Sequence, residues 1–151
     1  MSALRRFAEA VGRGLAAGVA GTAAMTASST IEARVRGRGS SDAPAKAAGK
    51  VLGVQPRDPR GRARFARIVH WSYGTSWGAV RGLLGELGLP PALATAAHFG
   101  VVWGAELAVL PALRVAPPAS EWGQPELAID AGHHVVYATA TGVAYQALTR
   151  A

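Results

Sequence analysis

Six ionisable side chains lie inside runs that are otherwise apolar: His70, His98, His133, His134, Glu106 and Asp130. An imidazole can ligate a metal or haem, relay a proton or simply hydrogen-bond, and a nearby carboxylate can serve each of those tasks. Asp130 and His134 stand four residues apart, with Tyr137 seven from Asp130, so all three share one helical stripe. His98 and Glu106 are eight apart, about two turns on one face. Adjacent helical residues diverge by about 100°, so only one of His133 and His134 faces a given site, and the register with Asp130 selects His134. Three chemistries follow. The polar groups pair helices by hydrogen bonds; or His70, His98 and His133 or His134 are metal or haem ligands, with Glu106 and Asp130 beside them; or His98, Glu106, Asp130 and His134 form a proton or ion path. No metal-binding spacing, HExxH, P-loop or dinucleotide glycine signature is present, and span residues such as Thr22, Ser72 and Thr139 serve backbone or interhelical bonds rather than a Ser–His–acid triad. Helix pairing therefore leads. No catalysis and no cofactor are expected, and haem or a divalent metal held by His70, His98 or His134 is the alternative.

The elements that must position these groups begin with Leu87 to Leu113. From Leu87 to Ala105 there are nineteen residues without a charge, and about 20 apolar residues cross a bilayer core. Pro90 and Pro91 suit the first turn of such a helix, and Pro111 marks the approach to its end. A charge at the centre of a span costs about 2.5–3.5 kcal/mol, so His98 and Glu106 are expected to face a bundle interior. Further uncharged or sparsely charged runs cover Gly14–Ile31, Ile68–Leu84 and Glu126–Leu148. The expected architecture is all-α: a single membrane domain over residues 1–151, with spans at about 14–31, 68–84, 90–113 and 126–148.

Packing of these spans is written in small residues. Half of the chain is apolar but only 7% is aromatic, a poor basis for a soluble core and a good one for close helix approach in lipid. Gly14 and Gly18, then Gly74, Gly78 and Gly82, then Gly100 and Gly104 recur at four-residue spacing, which predicts bundle packing faces on three helices. His70, Tyr73, Trp77 and Arg81 share another face, and Arg81 is expected to reach the membrane interface. The first run has few large apolar side chains and needs partners to insert. Its rival reading is a cleaved signal, since Arg5 and Arg6 precede it, but it lacks a clean cleavage site; retention as a span, after an amphipathic lead-in over residues 1–13, is expected.

The charge of +7 is concentrated. Residues 33–67 hold ten Lys or Arg against Asp42 and Asp58, a basic connector that suits anionic headgroups and, by the positive-inside rule, the cytoplasmic side, with both termini opposite. Within it, Asp42, Pro44 and Gly53 predict one short helix, and the stretch from Gln55 to Arg64 reads as turn. The connector lacks interleaved aromatics and any reading module, which excludes nucleic acid as a partner. Protein partners and homo-oligomerisation are left open. Cysteine is absent, so disulfides and thiolate sites are excluded. Arg114–Pro125 is a loop in which Trp122 suits an interface, and Ser120 or Gln124 is the expected cap of the last helix.

The segments AGVAGTAAMT from Ala17, HWSYGTSWG from His70, HFGVVWGAELAVLP from His98 and ELAIDAGHHVVYATATG from Glu126 resemble the YagU-like family of small bacterial inner-membrane proteins. The resemblance covers most of the chain outside the connector. It implies a multi-helix protein of the bacterial inner membrane without an established biochemical role, and it brings no catalytic residue.

Overall fold

The computed structural model describes residues 2–39 and 41–150. It is all-helical, with α1 (Ala3–Val35), α2 (Ala43–Leu52), α3 (Pro59–Glu86), α4 (Pro91–Ala112), a 3-10 turn at Ala119–Glu121 and α5 (Gln124–Arg150). No strand forms among the described residues.

The amphipathic lead-in does not stand apart from the first apolar run. Ser2 caps the helix by accepting the Arg5 amide at 3.3 Å, and nothing between Ala3 and Val35 breaks it, so α1 is one rod about 50 Å long. Gly37, at φ 63°, closes it, with the Arg38 amide donating back to the Ala33 carbonyl at 2.9 Å. Helix α2 lies where Pro44 and Gly53 set it, although Asp42 does not cap it through its side chain. The Asp42 backbone is not extended there, and its carboxylate pairs instead with Lys46 at 2.9 Å.

The Gln55–Arg64 stretch is corrected more sharply. Its second half is the start of α3: Asp58 accepts the Gly61 amide at 2.9 Å from an extended N-cap, and Pro59 occupies the first position. An Asp–Pro pair is as good a helix start as it is a turn, and the arginines that follow are good helix formers. Likewise Gln124 lies within α5 rather than ahead of it.

The four long helices alternate in direction. Helix α1 is the hub, packed chiefly against α3 and α5, while α4 lies against α5 and α3. At the α1–α3 crossing the two backbones approach closely. A methyl group at Gly14 would strike the Gly78 carbonyl, one at Gly18 would lie 3.0 Å from the Gly78 Cα, and one at Gly82 would strike the Ala10 carbonyl. Gly74 sits under Thr22, and Gly21 of α1 lies under Tyr137 and Thr141 of α5. Gly100 and Gly104 are different: they are exposed, with open space where a Cβ would stand. Their spacing is right, but that face of α4 turns away from the bundle.

Among the described residues one helix, α4, is long and apolar enough to cross a membrane by length and composition. Helices α1, α3 and α5 coincide with the other three expected spans but fall short of that measure, because they carry alanine, glycine, threonine and terminal charges in place of large apolar side chains. At the far end of α4, Lys50 of α2 donates to the Leu113 and Arg114 carbonyls at 2.7 and 3.0 Å. The connector helix thus caps the C-terminus of α4, where a cation is favoured.

Candidate functional site

Two turns of facing helices build a polar cluster between α4 and α5. Trp103 and Glu106 are three residues apart on α4; Asp130 and His134 are four apart on α5. Helical spacing puts each pair on one face, and antiparallel packing brings the two faces together. His134 Nε2 lies 2.7 Å from Glu106 Oε2. His134 Nδ1 lies 3.0 Å from the Asp130 carbonyl oxygen and 3.7 Å from its carboxylate. The Asp130 carboxylate is instead held by the Trp103 indole, which donates to Oδ2 at 2.9 Å. His134 is buried and both carboxylates are partly open.

Both ring nitrogens of His134 face oxygens. That arrangement is satisfied in full by an imidazolium, donating from Nδ1 to the Asp130 carbonyl and from Nε2 to Glu106. The cluster can therefore hold a proton between two carboxylates. Glu106, Asp130 and His134 can also each offer one ligand atom within 4.8 Å of the others, and two carboxylate oxygens with one imidazole suit a divalent cation of the zinc or manganese kind. Binding one would cost the Glu106–His134 hydrogen bond, because the same Nε2 must become a donor of electrons rather than of a proton.

The other histidines are committed elsewhere. His70 Nε2 meets the Thr26 hydroxyl at 2.7 Å, joining α3 to α1. His98 is fully enclosed, and its Nε2–H donates to the Trp77 carbonyl at 3.0 Å, joining α4 to α3. Its ring also lies 5.5 Å from that of Tyr137, whose hydroxyl donates to the Gly74 carbonyl at 2.6 Å. His133 Nδ1 meets the Ser28 hydroxyl at 2.8 Å and its Nε2 faces Glu32 at 3.7 Å, joining α5 to α1. Each of the four histidines thus bridges a pair of helices. Of the path His98–Glu106–Asp130–His134, the last three meet, and His98 is bonded to a different helix.

Below His133 a charged ladder closes the end of the bundle. Glu32 pairs with Arg38 and Arg36, and Arg36 reaches Glu126 at 2.7 Å. The Arg38 guanidinium, with Arg36, holds the Glu32 carboxyl below its usual range, and the Glu126 carboxylate raises Arg36 above its own.

Several participants were not marked by sequence reasoning. Trp103 stands one turn before Glu106, and an indole N–H in an apolar run needs an acceptor, which is the signal that finds it. Thr26 and Ser28 carried no signal, since such hydroxyls commonly bond their own backbone, as that of Thr26 also does to the Thr22 carbonyl at 2.6 Å. Arg81 is corrected outright: rather than reaching an interface, it is buried at 2% exposure, its guanidinium 4.6 Å from the centre of the Tyr145 ring. No family model, curated protein or solved structure matches the chain.

Proposed function

We propose that this chain is a multi-pass helical bundle of the bacterial inner membrane, with a structural or accessory role, in which histidines and carboxylates hold helices in register. The observation that carries this reading is an inverted distribution of polarity. The largest wholly enclosed side chains are His98, Thr22 and Thr141, whereas Val19, Ile31, Ile68, Trp71, Leu93, Val101, Val109 and Val143 face outward. A soluble domain of this size buries such apolar residues and exposes polar ones. In lipid the solvent is apolar, so glycine crossings and hydrogen bonds supply the association instead. The inversion extends over all four long helices, including the three whose composition alone does not qualify them. The resemblance to the YagU-like family belongs to the same proposal, as do a cytoplasmic connector and its contact with anionic headgroups. Carbonate washing of membranes tests it: the chain is expected to stay in the pellet, and recovery in the wash would overturn the reading.

A second reading is favoured by the meeting of Glu106, Asp130 and His134: a carrier that holds a divalent metal or a proton there. Haem has less support, because His70, His98 and His134 are each bonded to a different neighbour. Elemental analysis and an absorption spectrum of the extracted protein separate the two readings. Stoichiometric metal lost in His134→Gln would favour the carrier, and a colourless, metal-free protein the structural bundle.

A further inference from the structure

Arg81 is the least compensated group in the molecule. Its Nε and Nη1 are buried without a hydrogen-bond partner, and no carboxylate pairs with it among the described residues. A guanidinium cannot shed its proton to escape burial, and an unpaired buried charge is costly. The Tyr145 ring face, 4.6 Å from the guanidinium, offsets a part of that cost. The remainder calls for an anion.

Space for one adjoins it. Arg81 lines a cavity of about 270 Å³ together with Arg13, Glu86, Tyr145, Gln146 and Thr149, room for about nine waters at their share of liquid volume. Two arginines against one glutamate leave it positive. Pro91 opens the N-terminus of α4 on the same cavity, where first-turn amides and the helix dipole favour negative charge. A second feature extends the site. A groove of about 620 Å³ between α4 and α5, floored by Phe99, Val135, Ala138 and Val143, shares Pro91 and Gln146 with the cationic cavity and is mostly apolar. A cationic cavity continuous with an apolar groove on the outer face of a bundle has the form of an amphiphile.

We infer that this end of the bundle binds a glycerophospholipid, its phosphodiester in the cavity on Arg81 and Arg13 and one acyl chain along the α4–α5 groove. Arg81 supplies a fixed positive charge in the cavity wall, and Arg13, exposed on α1, stands at its rim. The inference rests on the membrane reading for the source of its ligand.

The test is phospholipid retained by the full chain purified in detergent, counted by native mass spectrometry and phosphorus assay, with carbonate washing run on the same membranes. One retained phospholipid per chain is expected, falling about tenfold or more in Arg81→Gln, as loss of a charge-assisted bond implies. Arg13→Gln and Val143→Trp are the variants that keep the question answerable should Arg81→Gln fail to fold, since both positions are exposed. The first removes the rim charge, the second fills the groove, and each is expected to lower retention several-fold. Arg114→Gln, an equal charge change at the other end of the bundle and outside the connector, is expected to leave it unchanged. A chain that stays in the washed membrane yet retains no phospholipid, retains it equally in all variants, or binds inorganic phosphate alone overturns the lipid site while leaving the membrane reading intact. Release into the carbonate wash overturns the membrane reading itself and, with it, the lipid site.

Discussion

His134 is held between Glu106 of the facing helix, at 2.7 Å, and the backbone carbonyl of Asp130 on its own, at 3.0 Å. The Asp130 carboxylate, one turn away, is turned instead toward Trp103. Two carboxylates thus serve one imidazole unequally, one as its direct partner and one as an outlying charge.

That inequality can be measured. Glu106→Gln and His134→Gln are each expected to destabilise the bundle by about 1–2 kcal/mol, and the double variant by clearly less than their sum, because one bond is being removed twice. Asp130→Asn, which keeps an acceptor for Trp103, is expected to cost less than either. Thermal unfolding of the four proteins is the readout, and additive losses would show that Glu106 and His134 act separately.

Glycines of identical spacing are expected to behave in opposite ways. Gly78→Ala places a methyl group against the Gly14 carbonyl and the Gly18 backbone, neither of which can move without parting α1 from α3, so loss of the folded protein is expected. Gly100→Ala meets open space and is expected to stabilise α4 slightly, by up to about 1 kcal/mol from helix propensity. Comparing unfolding midpoints decides it, and equal effects at the two sites would contradict the packing described.

Lys50→Ala is expected to loosen α2 from the bundle while leaving the four long helices in place. The Leu113 and Arg114 carbonyls lose their cap, a loss of about 1 kcal/mol. Limited proteolysis between α1 and α3 should then speed up; an unchanged rate would mean that α2 is held by other contacts.

Acid is expected to open the α1–α5 end first. Glu32, at the end of α1, titrates below its ordinary value of 4.5 because of Arg38 and Arg36. Since its folded value lies below its unfolded one, its contribution is complete above that ordinary value and is lost as pH falls through the folded value. Hydrogen exchange near Arg36 and Glu126 should rise on acidification below about pH 4.5, and Glu32→Gln should show that faster exchange already at neutral pH.

Much of the architecture was legible because it is written in spacing. Uncharged runs and Pro91 mark the four long helices, Gly53 the end of α2, and the i, i+4 relation of Asp130 and His134 gives half of the cluster. Spacing, however, defines a face without saying what that face meets. Gly78 and Gly104 carry the same local pattern, yet one touches a helix and the other open space. Arg81 follows the same logic: near the end of an apolar run it reads as a group reaching for water, and the ring that covers it belongs to Tyr145, sixty-four residues later on another helix. Trp103 was missed because its partner, Asp130, lies on another helix.

The α1–α3 crossing has a bearing on how the chain is made. Helix α1 has few large apolar residues of its own, and the surface that completes it belongs to α3, which emerges from the ribosome only after the whole connector. On the membrane reading, the first helix has little to hold it at the translocon until the second arrives, and the two are expected to enter as a hairpin rather than in turn. Released chains that end at Val54 should then be extracted by carbonate, and those that end at Gly88 should not. On that reading the glycines at 14, 18, 78 and 82 act during synthesis as well as in the finished fold: they set the moment at which the membrane accepts the chain.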